Sequence, residues 1–153
     1  MNVYDKLKEM NLELPKVPPK GGVYAPCREF GEGLYYISGC GPVIGTEPIK
    51  GKLGKDFTTE EGKMFCRQAM LNVLAVLEDR IGDLNKVKRN VKILTFVAGT
   101  DDFYDQPAVA NGGSELLAEL FGTEKVPARS AIGVNALPGN IPVETEAIFE
   151  VIQ

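Results

Sequence analysis

Between Thr58 and Gly82 the chain carries a complete set of helix signals, and no other stretch limits its fold so tightly. Thr58-Thr59-Glu60-Glu61 forms a capping box, in which a hydroxyl and a carboxylate satisfy backbone amides that the first turn leaves unpaired. Cys66, Ala69, Met70, Val73, Leu77 and Ile81 then fall on one stripe, and Gly82 supplies the left-handed residue that closes the helix. A helix with one apolar stripe needs a second layer to bury it.

The rest of the chain supplies that layer. Val87 to Ala98 is β-branched and aromatic with rough alternation, and predicts a strand. A second long helix is expected from near Asp105, with Pro107 in its first turn, to Gly122; Gly112 and Gly113 each weaken it by about 1 kcal/mol relative to Ala. Two strands, about Val23 to Phe30 and Leu34 to Ser38, flank Gly31-Glu32-Gly33 as a hairpin. Ala128 to Leu137 and Val143 to Ile152 flank the turn Pro138-Gly139-Asn140 as another. Val3, Leu7 and Met10 mark a short N-terminal helix stopped by Pro15, Pro18 and Pro19, with Pro15 to Gly22 a connector. Gly39 to Lys55 is rich in Gly, Pro and Lys without periodicity, and reads as a long exposed loop of the kind that often carries function.

The order helix, hairpin, helix, strand, helix, hairpin fits an α+β mixed sheet with two main helices on one face and a short N-terminal helix. Its helix-free side must still be covered; where such a face is apolar, the usual solution is another subunit. With 153 residues, 44% of them apolar, and no repeat or linker, one domain over 1–153 is expected.

The chain contains no histidine, the commonest general base and metal ligand, so Ser-His-Asp and Cys-His catalysis, HExxH zinc sites and paired-histidine ribonuclease chemistry are all excluded. Seventeen basic against twenty-one acidic residues leave a net charge of −4, which disfavours nucleic acid and anionic membranes as partners. Cys27, Cys40 and Cys66 are an odd number without CxxC spacing and point to reduced thiols in a cytoplasmic protein. No apolar stretch is long enough to target or span a membrane.

Four local patterns fail on inspection. Gly45 to Lys52 has five residues between its glycines where a phosphate-binding loop needs four, and Leu53 where Ser or Thr should hold magnesium. Gly39 to Gly45 is one residue too long for GxGxxG. Cys40 lacks a histidine to lower its pKa, which favours a structural thiol over a nucleophile. Lys86, Lys88, Arg89 and Lys92 lack the aromatic interleaving of single-strand binders, and suit a solvated or edge-guarding run.

Alternation along Arg129 to Asn135 puts Ile132 and Val134 on one face, expected to be core, and Arg129, Ala131, Gly133 and Asn135 on the other. A guanidinium beside Ala and Gly has room to grip a planar carboxylate, although pairing with a structural Glu is the commoner use of such an arginine. Glu144 and Glu146 share the face opposite Val143, Thr145, Ala147 and Phe149. Centring the last turn on Gly139 sets Glu144 opposite Val134, roughly 16 Å along the sheet from Arg129. The two are then expected to meet only across a subunit interface.

Pro127-Ala128-Arg129-Ser130, Leu137-Pro138 and Val143-Glu144-Thr145-Glu146-Ala147-Ile148 closely resemble the C-terminal signature of the RidA (YjgF) family. The resemblance runs back through the Glu60 to Ile81 helix and Tyr35-Tyr36-Ile37-Ser38-Gly39 to about Gly22. It implies a chorismate-mutase-like fold, a homotrimer, clefts between subunits, and hydrolysis of reactive enamines and imines such as 2-aminoacrylate to 2-keto acids and ammonia, without metal or cofactor. Carried over, Arg129 would hold the substrate carboxylate, Glu144 would position or activate water, Tyr24 would line the cleft, and the backbone at Ser38 and Gly39 would offer hydrogen bonds. Asn111 matches the Asn expected from the second helix, and Ala131 stands where archetypal members carry Cys. The alternative is a non-catalytic binder of a small carboxylate or keto-acid metabolite. An RNA-cleaving translation inhibitor is the weakest reading, given the acidic balance and missing histidine.

Overall fold

The computed structural model describes residues 2–44 and 46–153; Met1, and Gly45 of the phosphate-loop look-alike, lie outside them. The capping box forms as expected. The Thr58 side chain accepts from the Glu61 amide, the Glu61 carboxylate accepts from the Thr58 amide, and Gly82 adopts φ 84°, so that α2 spans Thr59–Ile81. The second helix, α3, spans Gln106–Phe121, with the N-terminal helix α1 at Val3–Glu9.

Both long helices lie on one face of a five-stranded sheet made of β1 (Cys27–Phe30), β2 (Leu34–Cys40), β5 (Val87–Ala98), β6 (Ala128–Val134) and β7 (Val143–Val151), in the order β1-β2-β7-β5-β6. The short strands β3 (Val43–Ile44) and β4 (Glu47–Pro48) pair separately. Strand alternation decides what the helices cover. Ile93, Thr95 and Val97 of β5 and Val143, Thr145, Ala147, Phe149 and Val151 of β7 are buried beneath them, while Glu144, Glu146, Ile148 and Glu150 face the other way. On the uncovered face Phe30, Tyr36 and Ile132 are each more than 40% exposed.

The last two strands do not form a hairpin. β5 lies between them, pairing parallel with β6 and antiparallel with β7. A strand, a helix of sixteen residues and a second strand form a βαβ crossover, which delivers the two strands side by side and parallel. The turn at Pro138–Asn140 exists, with Gly139 and Asn140 at positive φ, but it carries the chain past β5.

Three smaller expectations also change. α1 ends at Glu9, and the chain turns through Asn11, left-handed at φ 54°, before any proline is reached. Gly39 to Lys55 is not an open loop throughout: β2 continues to Cys40, β3 and β4 form a small hairpin, and Leu53 is fully buried, its backbone bonded to Ala98 and Thr100. Lys88, Arg89 and Lys92 of the basic run lie on central β5, which removes the edge-guarding alternative and leaves the solvated one. There Lys88 and Arg89 pair with Glu150, and the Lys92 amine donates to the Ser130 hydroxyl.

Gly112 and Gly113 answer to packing rather than propensity. A Cβ at Gly112 would sit 2.0 Å from the Lys63 carbonyl oxygen, so α3 runs against α2 at backbone contact. Gly112→Ala gains the roughly 1 kcal/mol of helix propensity and loses the helix approach; a net destabilisation of about 1–3 kcal/mol is expected, read from urea midpoints. A more stable variant would show that the close approach is not required.

Candidate functional site

Ile37 of β2 pairs with Ala147, and Cys40 pairs with Thr145. Two residues of β2, Ser38 and Gly39, therefore stand opposite the single residue Glu146, which is a β-bulge. The extra residue lets Ile37 and Cys40 both point into the core and turns Ser38 and Gly39 towards the sheet rim. There, Tyr24, Ser38, Gly39, Ile141 and Glu144, with Pro138 from the last turn, line a cavity of about 450 Å³.

Glu144 lies against the bulge so closely that a Cβ at Gly39 would come within 2.8 Å of its carboxyl group. Glycine at 39 is what admits the carboxylate. Half-burial, and secondarily the charge of Glu146 two residues on, push the Glu144 carboxyl above the usual carboxylate range. Tyr36 donates a hydrogen bond to Glu146 from the neighbouring strand, which holds that second charge in place. Tyr24 is braced by the Gly21 amide, which donates to its hydroxyl at 3.1 Å.

Ser38 contributes less than expected. Its amide donates to the Pro26 carbonyl at 2.9 Å and its hydroxyl to the Ala25 carbonyl at 2.7 Å, so both donors are already engaged. Cys40 is buried, and burial together with the Glu144 charge pushes its thiol up to about 12, which keeps it protonated.

Arg129 stands elsewhere, and on the opposite face from the one expected. Ile132 is exposed on the uncovered side, whereas Arg129 points towards α3, where its Nη1 donates to Asn111 Oδ1 at 2.7 Å and to Ser114 Oγ at 3.1 Å. Alternation shows which residues share a face, but a short strand at a sheet edge does not show which face is core. Asn111 thus acts on the arginine, and Ala131 lies two residues along the same face, half-buried, opposite Thr95. Ser114 was not foreseen; its position three residues beyond Asn111, on one helix face, was the available signal. Among the described residues no acidic group comes within 4.0 Å of Arg129, so the structural ion pair is not formed.

Arg129 and Glu144 are two strands apart across β5, opposite Ile93 and Phe96 respectively. At about 3.3 Å per residue and 4.8 Å per strand their backbones are roughly 14 Å apart, and their side chains leave opposite faces. One chain does not bring them together.

The family model described as "YjgF/chorismate_mutase-like, putative endoribonuclease" matches residues 5–143. The chain belongs to the YjgF/chorismate-mutase-like family. The solved structure of a "putative endoribonuclease" from Shewanella oneidensis superposes with a TM-score of 0.94 at 28% identity, covering 99% of this chain and all of that one. Protein TCP17 of Trypanosoma cruzi is 40% identical over 103 residues, 67% of this chain and 64% of TCP17, so the match spans under two thirds of that relative. A 2-iminobutanoate/2-iminopropanoate deaminase of Dermatophagoides farinae is 28% identical over 138 residues, 90% of this chain and 92% of the relative. Among the described residues of this YjgF-family chain, no helix is long and apolar enough to cross a membrane.

The cause assigned to the Glu144 shift can be measured. A negative neighbour favours the neutral carboxyl, so Glu146→Gln should lower the Glu144 pKa while burial still keeps it above the model-peptide value. Carboxyl-carbon NMR titration reads this directly, and an unmoved midpoint would assign the whole shift to burial.

Proposed function

We propose that the chain is an imine/enamine deaminase whose sites form between copies, with the Glu144 cavity of one chain completed by Arg129 of another. The observation that carries this reading is the state of Arg129: anchored by two neutral groups on one nitrogen, without an acidic partner, it holds an uncompensated charge suited to a small carboxylate. The apolar residues on the uncovered sheet face favour association, and a homotrimer is the arrangement that the RidA resemblance implies. The mite relative, named as an iminobutanoate deaminase, supports the substrate class.

The chemistry is modest because an imine carbon is already electrophilic. Arg129 of one chain fixes the substrate carboxylate and so places the imine carbon against Glu144 of the other. Glu144 removes a proton from water as the oxygen bonds to that carbon, and the C=N π pair moves to nitrogen. Glu144 returns that proton to nitrogen; a second proton then passes from the new hydroxyl to nitrogen as the C–N bond breaks and C=O forms, releasing ammonia and leaving the 2-keto acid. A carboxylate whose pKa is held above the ordinary value is a stronger base than a free glutamate.

Ammonia and keto-acid release are to be followed while an amino-acid oxidase generates imines in situ. Wild type should accelerate release. Arg129→Ala should lose about a hundredfold or more together with carboxylate binding, and Glu144→Gln should lose about 10²–10⁴-fold in turnover while retaining binding. Wild-type binding of 2-keto acids without any acceleration would favour the metabolite-binder reading instead. Light scattering that shows a monomer at micromolar concentration would remove the intersubunit site.

A further inference from the structure

Behind Tyr24 lies a second chamber of about 250 Å³, between the end of β2, α2 and the proline-rich connector. Tyr24, Ser38, Gly39 and Ile141 line both this chamber and the Glu144 cavity, so the two are neighbours across a shared wall. Apart from Lys20, the remaining walls are mainly apolar, formed chiefly by Pro18, Pro19, Pro26, Pro42, Val43 and Val76. The connector that the sequence marks only as a helix stop therefore builds one side of a compartment. Prolines suit that task because their fixed φ leaves little freedom to lose when a ligand enters.

Three polar groups around the chamber have protein partners. The Lys20 amine donates to the Tyr24 carbonyl at 3.3 Å, the Ser38 hydroxyl to Ala25, and the buried Asn72 amide to the Gly41 carbonyl at 2.8 Å. An apolar occupant would strand none of these groups. With about 30 Å³ for each water-sized group, the space holds on the order of eight non-hydrogen atoms. That is far more than the methyl or ethyl group of the smallest imino acids.

We infer that the chamber behind Tyr24 is a side-chain subsite of the Glu144 cavity, and that the chain acts on 2-imino acids with large apolar side chains of leucine or phenylalanine size. This rests on the deaminase reading for turnover, but not for binding. Tyr24 is the partition between the two spaces. The residue is 43% exposed and its hydroxyl accepts from the Gly21 amide, so a small swing of its ring would join them.

Two measurements test the subsite. Imines generated from leucine should be hydrolysed with a kcat/KM at least tenfold above those from alanine, since even one methylene in an apolar pocket is worth about tenfold or more. Val43→Trp, at a position 46% exposed and free of core packing, should cut that leucine-to-alanine ratio at least tenfold. Calorimetry then compares 4-methyl-2-oxopentanoate with pyruvate on the wild-type protein, independent of turnover and of any variant's folding. No imine turnover together with a tenfold preference for the larger keto acid would end the deaminase reading and leave the subsite standing. Equal affinity for the two keto acids, or an absent leucine preference in turnover, overturns the subsite itself.

Discussion

Backbone contact between α2 and α3 at Lys63 and Gly112 lets two long helices fit side by side over a sheet only five strands wide. Everything apolar on those helices is then committed to one face, through Ile93, Thr95, Val97 and the inward residues of β7. Among the described residues no helix covers the opposite face, because α1 packs on the helical side with Val3 and Leu7 in the same core. The division also sorts the polar groups: Glu144 and Glu146 go to the bare face, and Arg129 to the helical one. Layering therefore places the two groups that the proposed intersubunit site calls for on opposite faces of one chain.

Within that frame the bulge in β2 has the largest local effect. An unbroken ladder would alternate Ile37, Ser38 and Gly39 strictly and send Cys40 to the bare face. Two residues against Glu146 instead keep Cys40 in the core and give the chain a corner at Ser38–Gly39. Glycine at that corner leaves the space that the Glu144 carboxyl occupies. Bulge, glycine and carboxylate are one feature.

What could be read beforehand follows from whether the determining contacts are local. α2 was legible because its cap, stripe and terminator lie within twenty-five consecutive residues, and β5 and the two faces of β7 because a long alternating strand records its own burial. β6 was misplaced for the converse reason. The turn at Pro138–Asn140 is a strong local signal for a hairpin, whereas the pairing of Arg129 with Ile93 is settled by α3 closing a crossover from thirty-six residues away. The strand-helix-strand order over β5, α3 and β6 already contained that alternative. The resemblance to the RidA family located Tyr24, Ser38, Gly39 and Glu144, which the fold brings to one cavity, but could not show that the Ser38 donors are spent or that Asn111 and Ser114 serve the arginine.

The Glu144 shift also bears on stability, and its sign separates this residue from the structural acids. A folded-state pKa above the unfolded value means that the native chain binds this proton more tightly than the unfolded chain does. Ionising Glu144 therefore weakens the fold as pH rises from the ordinary carboxylate value through the raised one. Glu150 runs the other way: Arg89 and Lys88 lower its pKa, and the support it gives is lost as pH falls through that lowered value. A carboxyl group whose ionisation costs the fold stability, set beside a glycine that makes room for it, is hard to account for as packing alone. Its placement makes sense if the half-buried carboxyl acts on a ligand.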